Sequence, residues 1–522
     1  YSMNPTKNIK NPISELIPAG IPKGHVVLLT GNSGTGKTTL ALQWVYSQCQ
    51  KEKSRGLYLA VTESITDCYK NVNSYDFYSD EFSNLIQFSD IRTIFSIYKN
   101  NLNSKSEIDK AVDLISKLMS ENNIHYLIID SITAIGYIIQ NKELIRYFIF
   151  RLGVILRVHK SSSILISESS TESYSVFGVE DFISDGIIQL KYNLLNDGAI
   201  NRSIRIIKMR RADFNTREVN FILNKKGIKI LGIIPSGLDK IKYDLNKKIS
   251  VGVPKLDSMF KGGIFNCSVN LVSGETGTGK TNLCIEFIDY GLMNNESCLY
   301  FGLEEDKDQI MRAARSIGKN WEDFLENKSL IIDAGLEVDF NSTNCMDKII
   351  NLIENHKPKR MVFDSMSFVE NSLEKVKFKP FVTFLISFCK KMGITLFLTT
   401  VNVGGLGTRQ ISHDLEINTD NIIILRYVEM GGGIETIIGI LKSRSSARDK
   451  SLRYFKVTDK GVEIGESVKE FEGIMTGSAH KLDLVAKEKI TNSMADLKKM
   501  LGTSEGLVKI KNKDVDHNLF DL

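Results

Sequence analysis

Paired cysteines, a signal sequence and a long apolar run are all missing from this chain of 522 residues. Its seven cysteines are scattered, odd in number and never spaced as C-x-x-C, which argues against a disulfide framework or a zinc site and favours a reducing compartment. The opening residues, YSMNPTKNIK, contain no apolar signal core, and no stretch of about 18 residues lacks charged or strongly polar side chains. We therefore expect a cytoplasmic protein that does not enter a membrane.

An excess of charge of one sign is missing as well. The formal net charge of +5 is slight for this length and does not suggest a nucleic-acid coat. Hydrophobic residues make up 42% of the chain and charged residues 25%, which is typical of a globular protein with large apolar cores. At about 150 residues per domain, the length predicts more than one domain, and two large α/β units would fit.

The sequence contains two similar halves. The segment at 21–46, IPKGHVVLLTGNSGTGKTTLALQWVY, resembles the segment at 264–289, IFNCSVNLVSGETGTGKTNLCIEFID. Further on, GLYLAVTES matches SCLYFGLEED, YLIIDS matches RMVFDS, and IIKMRR matches ILKSRS, in the same order and at a nearly constant spacing of about 240 residues. Four landmarks in one register predict a duplicated domain.

Each half alternates short β-branched runs with amphipathic stretches of helical period, which is typical of a parallel sheet with crossover helices. The predicted strands are VVLL, LYLAV, YLIID, SILIS and IIQL in the first half, and VNLV, CLYFGL, MVFD, TLFLTT and IIIL in the second. We predict an α/β fold with a first domain at 1–234, a polar linker at 235–253, a second domain at 254–470 and a tail at 471–522. The apolar spacing of the tail predicts an amphipathic helix over 482–501, followed by a disordered end.

Two segments, at 31–38 and 274–281, have the phosphate-binding form G-x-x-x-x-G-K-[ST]. Each follows an apolar strand and opens a helical pattern, which is the context that the motif requires. In such a loop backbone N–H groups turn toward phosphate, the lysine meets the β- and γ-phosphates, and the helix N-terminus adds its dipole. A glycine-rich turn with an incidental lysine is the alternative, and two copies in register leave it negligible. The predicted ATP-binding residues are Ser33, Gly34, Thr35, Gly36, Lys37, Thr38 and Thr39 in the first loop and Thr276, Gly277, Thr278, Gly279, Lys280, Thr281 and Asn282 in the second.

Two aspartates suit a magnesium ion beside these loops. Asp130 and Asp364 each end an apolar strand, as does the carboxylate that holds the water shell of Mg²⁺ next to the loop threonine. A strand-terminal Asp that caps a helix is the common alternative. The sequence predicts Mg²⁺ as the cofactor, with Thr38, Asp130, Thr281, Asp364 and Glu304 around it.

Glutamates after the strand CLYFGL suit the hydrolytic step. A carboxylate at Glu304 or Glu305 can orient and deprotonate the attacking water, although acids favoured at a helix start are the alternative. In the first half the aligned pair is Thr62 and Glu63, so one carboxylate is missing. The predicted catalytic residues are therefore Glu304, Glu305 and Glu63, and we expect the first site to hydrolyse ATP poorly.

These motifs resemble the KaiC family of double-domain RecA-like ATPases. The resemblance extends to about Ser478 and includes FGVEDFISD, KMRRADF, LEEDKDQIMRAARSIG, TDNIIILRYVE, FKVTDKGVEI and EFEGIMTGS. It implies two tandem RecA-like P-loop NTPase domains, each a mostly parallel sheet flanked by helices. It also implies a hexameric double ring that holds ATP between neighbouring subunits.

The resemblance further implies which residues reach the nucleotide from outside the loops. They include Lys208, Met209 and Arg210 in the first half and Lys442, Ser443 and Arg444 in the second, and the lysine and arginine of each K-x-R pair would reach the neighbour's γ-phosphate. Those that would lie on the nucleoside side are Ser74, Ser316 and Ile317. Without the resemblance, a solvated strand edge is the favoured interpretation of a K-x-R pair.

One departure from the family concerns phosphorylation. The family includes members that phosphorylate a Ser-Thr pair shortly before the TDxIIxL strand. Counting back from Thr419 places Glu416 and Ile417 at that pair, and neither side chain has a hydroxyl. We therefore expect no phosphate there, whereas Ser412 and Thr419 remain alternative acceptors. Glu416 imitates a phosphoserine only weakly, since a carboxylate carries less charge.

Three functions stay open on sequence grounds. The first is a KaiC-like ATPase whose slow hydrolysis switches its conformation and its binding of an unknown protein partner; the tail helix either binds a partner or packs on its own ring. The second is a DNA-dependent ATPase, but the loop at 401–418 has one Arg, two acids and no Phe, Tyr or Trp, which argues against nucleic acid. The third is a scaffold whose first site binds nucleotide without turnover.

Overall fold

The computed structural model describes the chain with several gaps. The described residues are 10–79, 84–92, 104–139, 141–169, 184–194, 200–232, 244, 246–335, 341–373, 375–401, 411–430, 432–444, 447–468, 471–472 and 480–481. No helix within these ranges is long and apolar enough to cross a membrane. All seven cysteines fall inside them, and each is buried as a free thiol.

The first domain is built on one large sheet. Its strands are β1 (Val26–Gly31), β2 (Arg55–Ala60), β3 (Ile86–Asp90), β4 (Ile124–Asp130), β5 (Ser162–Glu168), β6 (Gly186–Leu194), β7 (Ile200–Met209), β8 (Val219–Asn224) and β9 (Gly227–Ile230). In the described residues they lie in the order β3-β2-β4-β5-β1-β6-β7-β8-β9. The pairs from β3 to β6 are parallel and those from β6 to β9 antiparallel. The flanking helices are α1 (Pro12–Leu16), α2 (Lys37–Glu52), α3 (Ile65–Asn73), α4 (Lys105–Glu121), α5 (Ile132–Ile139) and α6 (Lys142–Val158).

The second domain repeats this topology. Its strands are β10 (Lys248–Ile249), β11 (Ile264–Phe265), β12 (Val269–Gly274), β13 (Cys298–Gly302), β14 (Leu330–Ala334), β15 (Arg360–Asp364), β16 (Thr395–Val401), β17 (Asn421–Met430), β18 (Gly433–Ser443), β19 (Arg453–Thr458) and β20 (Gly461–Ser467). The large sheet has the order β14-β13-β15-β16-β12-β17-β18-β19-β20. The helices are α7 (Pro254–Met259), α8 (Lys280–Met293), α9 (Lys307–Ser316), α10 (Glu322–Glu326), α11 (Ser342–His356), α12 (Met366–Ser372), α13 (Lys375–Lys391) and α14 (His413–Asn418). All ten predicted strands are confirmed, and so is the fold of two tandem RecA-like domains.

The central strands explain why each sheet is covered on both faces. Every residue of β1 and of β12 is buried. Because successive side chains of a strand point to opposite faces, Val27 and Leu29 pack into one core of the first domain, whereas Val26 and Leu28 pack into the other. A sheet buried on both faces reads as a continuous apolar run, as VVLL does.

The two domains meet along the outer hairpin of the first sheet. Lys229 on β9 forms an ion pair with Asp347 on α11, and Leu231 packs into a core of the second domain. Within the stretch predicted as a linker, β10 pairs with β11 and so lies with the second domain. The exact domain bounds stay a prediction.

The predicted tail and one predicted loop are described only in part. In the tail, the structure describes a short antiparallel pair, β21 (Phe471–Glu472) with β22 (His480–Lys481). The helix predicted at 482–501 and the loop at 402–410 lie outside the described residues.

Candidate ATP-binding sites

Each P-loop joins a central strand to the helix that follows it. Gly36 and Gly279 are the N-caps of α2 and α8, and their φ angles of 101° and 92° lie in the left-handed region. Glycine adopts this conformation without the steric cost of a Cβ atom. The exposed helix N–H groups therefore point into the loop, where phosphate is favoured.

The two P-loop lysines adopt the same arrangement. Lys37 Nζ donates to the carbonyl oxygens of Gly31 and Asn32, both at 2.8 Å. Lys280 Nζ donates to those of Gly274 at 3.0 Å and Glu275 at 2.8 Å. Burial lowers the pKa of both lysines, and nearby carboxylates act in the opposite direction.

The first glycine of each loop is enclosed by the neighbouring strand. A Cβ atom added to Gly31 would lie 2.4 Å from the carbonyl oxygen of Leu190, and one added to Gly274 would lie 2.6 Å from that of Leu425. Both oxygens belong to backbone in β6 or β17 and cannot swing aside. Each loop therefore leaves its strand with no room for a side chain at this point.

The predicted metal-side residues are brought together in both domains. Thr38 Oγ1 donates to Asp130 Oδ2 at 2.7 Å, and Thr281 Oγ1 donates to Asp364 Oδ2 at 3.3 Å. The α2 and α8 N-termini thus lie directly beside the ends of β4 and β15. The threonine hydroxyls and aspartate carboxylates are hard oxygen ligands of the kind that Mg²⁺ prefers.

A tyrosine that sequence reasoning missed completes each of these clusters. Tyr58 OH donates to Asp130 Oδ2 at 2.8 Å, and Tyr300 OH donates to Asp364 Oδ2 at 2.6 Å. Burial raises the pKa of both phenols, and the adjacent aspartate raises it further, so both stay protonated as donors.

A third hydroxyl distinguishes the second aspartate. Thr399 Oγ1 also donates to Asp364, at its Oδ1 atom. Strand registers place Ile166 at the equivalent point of the first domain, since Ile166 pairs with Leu29 as Thr399 pairs with Val272. Asp130 therefore accepts from two of these hydroxyls and Asp364 from three.

The structure confirms how the two halves align beyond β2 and β13. The N–H group of Val61 donates to Asp130 O at 2.9 Å, as that of Leu303 donates to Asp364 O at 2.7 Å. The next residues are therefore equivalent in sequence order, Thr62 with Glu304 and Glu63 with Glu305. An exposed threonine lies where the second site has its first glutamate.

The predicted catalytic acids differ in their surroundings. Glu304 Oε1 accepts from Ser365 Oγ at 2.6 Å, which ties it to the residue after Asp364. Burial raises the pKa of Glu305, and the charges of Asp364 and Glu304 raise it further. Glu63 Oε2 accepts from Asn71 Nδ2 at 3.0 Å on α3. The second site thus has two adjacent glutamates, and the charge of one acts on the other.

One further acid near the first site escaped the sequence prediction. Glu168 ends β5 with an exposed side chain and pairs with Gly31, the first P-loop residue. Burial lowers the pKa of Lys37, and the charges of Glu168 and Asp130 act in the opposite direction. Val401 holds this position in the second domain. The position of Glu168 directly after the predicted strand SILIS could have identified it, because the carboxyl ends of parallel strands lie on the same side of a sheet.

The predicted nucleoside-side residues lie at equivalent helix ends. Ser74 Oγ donates to Asn71 O at 2.6 Å after α3, and Ser316 Oγ donates to Ala313 O at 2.7 Å in the last turn of α9. Ile317 is buried in a core of the second domain. Its side chain therefore packs inward, and its backbone is the part left for a ligand.

In each sheet the K-x-R pair lies toward the ends of the strands that are opposite to the P-loop. Lys208 pairs with Ile187, which pairs with Leu28, so it is level with the middle of β1. About 10 Å of strand separates that level from the loop. Lys208 Nζ donates to Ser184 O at 2.9 Å, and Arg210 lies 3.5 Å from Asp185, both before β6 begins. Between them, Met209 is buried.

The second-domain pair binds backbone oxygens of the segment at 416–419. Lys442 Nζ donates to the carbonyl oxygens of Glu416 and Thr419, and Arg444 donates to that of Ile417 at 2.6 Å. Ser443, between the two cations, is half-buried.

The residues in and just before this segment differ in their exposure to solvent. The side chain of Ile417 is 49% exposed, whereas Thr419 is fully buried with its hydroxyl bonded to Leu415 O. The Ser412 hydroxyl is also buried. Thr419 is therefore closed to phosphate in this conformation.

Two mostly parallel sheets, each with a P-loop at the end of its central strand and a Thr–Asp pair beside it, define a tandem RecA-like ATPase. The family described as "ATPase: KaiC" matches residues 10–233 and again 249–469. The chain therefore belongs to the KaiC family of ATPases.

Three proteins illustrate the similarity. Circadian clock oscillator protein KaiC of Thermostichus vulcanus is 31% identical over 92% of this chain and 93% of its own length. Circadian clock oscillator protein KaiC 1 of Synechocystis is 30% identical over 93% of both chains. The KaiC of Parathermosynechococcus lividus is 28% identical over 94% of this chain and 90% of its own.

Proposed function

We propose that this protein binds Mg·ATP at both sites, hydrolyses it slowly and assembles into a hexameric double ring with each nucleotide at a subunit boundary. Hydrolysis switches the ring between conformations and so controls the binding of a protein partner, to which the tail at 482–501 contributes. Seven free thiols suit a reducing compartment such as the cytoplasm. The relatives' circadian role is not carried over, because one fold hosts many functions and Glu416 and Ile417 lack hydroxyls.

The position of the K-x-R pairs is the observation that supports assembly into a ring. Lys208 and Arg210 extend away from the P-loop of their own domain, and Lys442 and Arg444 do the same. Such cations can stabilise the charge of a transferring phosphoryl group only across a boundary between subunits. A neighbouring copy supplies that boundary.

The residues beside each loop fit a magnesium ion. Thr38 with Asp130, and Thr281 with Asp364, offer hydroxyl and carboxylate oxygens within hydrogen-bond distance of one another. The threonine would hold the ion directly and the aspartate through its water shell, with Glu304 nearby. Bound Mg²⁺ neutralises charge on the β- and γ-phosphates.

Turnover is concentrated in the second site. Glu305 has a raised pKa, which brings a carboxylate closer to the pH at which a general base works best, and Glu304 stands beside it. Since Thr62 replaces one of these acids, the first site turns over more slowly. A nucleotide-gated scaffold role for the first domain is the second candidate function, and Thr62 favours it.

Light scattering and ADP release test the proposal together. The purified chain is measured with and without Mg·ATP, beside variants that lose one P-loop lysine each, Lys37→Ala and Lys280→Ala. We expect a hexamer with nucleotide and ADP release that falls mostly in Lys280→Ala. A monomer with both sites occupied contradicts the ring, and no ADP release from the unmodified chain contradicts the enzyme.

A further inference from the structure

We propose that Tyr58 and Tyr300 are positioning residues of the two ATP sites. Each phenol holds the metal-side aspartate of its domain in the orientation that receives the water shell of Mg²⁺. This inference rests on the proposed function, because it requires Asp130 and Asp364 to face Mg·ATP. Neither tyrosine needs to touch the nucleotide itself.

The geometry is the same in both domains. Tyr58 on β2 reaches across to the end of β4, where its OH donates to Asp130 Oδ2 at 2.8 Å. Tyr300 on β13 reaches in the same way to the end of β15 and donates to Asp364 Oδ2 at 2.6 Å. In each case the oxygen that accepts from tyrosine also accepts from the P-loop threonine. Two hydroxyls from different elements therefore fix one carboxylate oxygen.

The surrounding residues argue that the phenol is more than a core side chain. The residue before the tyrosine is leucine in both halves, whereas the two positions after it differ: Leu59 and Ala60 in the first half correspond to Phe301 and Gly302 in the second. Phenylalanine would fill the same volume, and a buried hydroxyl costs free energy unless it is bonded. The tyrosine and its aspartate are kept together in both halves.

A neutral donor is well suited to this task. A lysine or arginine bonded to the aspartate would cancel the charge that attracts a cation. A phenol orients the carboxylate and leaves that charge in place. Groups that orient metal-binding residues in this way typically change metal affinity about 10–100-fold when they are removed.

The two sites should depend on their tyrosines to different degrees. Without Tyr300, Asp364 would keep the hydroxyls of Thr281 and Thr399. Without Tyr58, Asp130 would keep that of Thr38, because Ile166 replaces the third donor. We therefore expect the larger loss at the first site.

Magnesium titration of nucleotide binding tests the inference one site at a time. Tyr58→Phe is placed in the Lys280→Ala background and Tyr300→Phe in the Lys37→Ala background, and a fluorescent ATP analogue reports binding. We expect the Mg²⁺ concentration at half-maximal binding to rise about 10–100-fold for Tyr58→Phe and less for Tyr300→Phe. Binding in excess chelator should stay unchanged, which a general loss of structure would not allow.

A matched control makes the same chemical change elsewhere. Tyr147→Phe also removes a phenol that donates to an aspartate, Asp109 at 2.9 Å, far along the chain from either loop. It should leave the magnesium titration unchanged. If Tyr300→Phe fails to fold, Tyr58→Phe still decides the question in the other domain. An unchanged magnesium midpoint in a folded Tyr58→Phe variant overturns the inference. The titration measures binding, so absence of ADP release in the unmodified chain would count against the proposed function alone.

Discussion

Lys229 Nζ lies 2.7 Å from Asp347 Oδ1, so an ion pair joins the last strand of the first sheet to helix α11 of the second domain. Lys229 also donates to Asn351 at 2.9 Å. The preceding residue, Ile228, exchanges two hydrogen bonds with Gln43 on α2, the helix that begins at the first P-loop. Strand β9 therefore contacts both the second domain and the helix that begins at the first P-loop.

Removing this ion pair should loosen the junction between the domains. We expect Lys229→Met to lower the free energy of unfolding by about 1 kcal/mol, because the pair is only partly exposed and is supported by Asn351. A double-mutant cycle with Asp347→Asn, followed by thermal unfolding, isolates the interaction. Lys191→Met breaks a pair with Glu218 inside the first domain and serves as the control. Additive single-variant effects would show that the pair contributes nothing.

Replacing the second-site acids should remove most hydrolysis. Glu304→Gln with Glu305→Gln keeps the size of both side chains but removes the base, which is worth about 10²–10⁴-fold in rate. ADP release should fall toward the rate of the first site while nucleotide binding persists. The control replaces exposed acids of the same domain, Glu326→Gln with Glu463→Gln. A near-normal rate in the first variant would identify the first domain as the main site of turnover.

The chain should acquire no phosphate during long incubation with Mg·ATP. Glu416 and Ile417 have no hydroxyl, and Thr419 is fully buried. Intact-mass measurement should therefore show an unchanged chain. Glu416→Ser with Ile417→Thr should allow phosphate to appear, since Lys442 and Arg444 hold backbone oxygens that the substitutions keep. The same change in a Lys280→Ala background should stay unmodified. Stoichiometric phosphate on the natural sequence would point to a relocated acceptor.

Stability should fall as the pH rises through neutrality because of Glu15. Burial raises the pKa of this carboxyl to about 7, with Glu354 raising it further and Lys10 and Lys229 opposing the shift. Above that pH the folded protein must keep a charge on this half-buried side chain. As the pH falls below it, the folded state gains a proton that the unfolded state still lacks, so stability rises. Unfolding midpoints at about pH 6 and about pH 8 should differ more for the natural chain than for Glu15→Gln. Equal differences would show that Glu15 does not titrate in this range.

The elements with strong local signals could be predicted from the sequence. The strands around VVLL and VNLV, the P-loops and the aspartates that end their strands all carry their pattern within a few residues. The alignment of Thr62 with Glu304 also followed from the repeat and is confirmed by the bonds of Val61 and Leu303.

The missed residues depend on contacts between distant segments. Tyr58 and Tyr300 read as core positions of an apolar strand, and only the neighbouring strand shows that each phenol meets an aspartate. Glu168 likewise affects the pKa of Lys37 only because β5 pairs with β1. Strand order is a tertiary property that short-range patterns do not contain.

The enclosed glycines at the base of the two P-loops bear on how the halves could diverge after gene duplication. At Gly31 and Gly274 any mutation places a Cβ atom against the carbonyl oxygen of Leu190 or Leu425, so steric exclusion removes variants before selection on activity can act. At Thr62 and Glu304 the side chains are exposed, and substitutions at exposed positions usually change stability little. Substitutions therefore accumulate more readily at the exposed positions around each site than in the P-loop itself. A duplicated half can lose its catalytic rate over evolutionary time and still inherit the loop that grips the nucleotide.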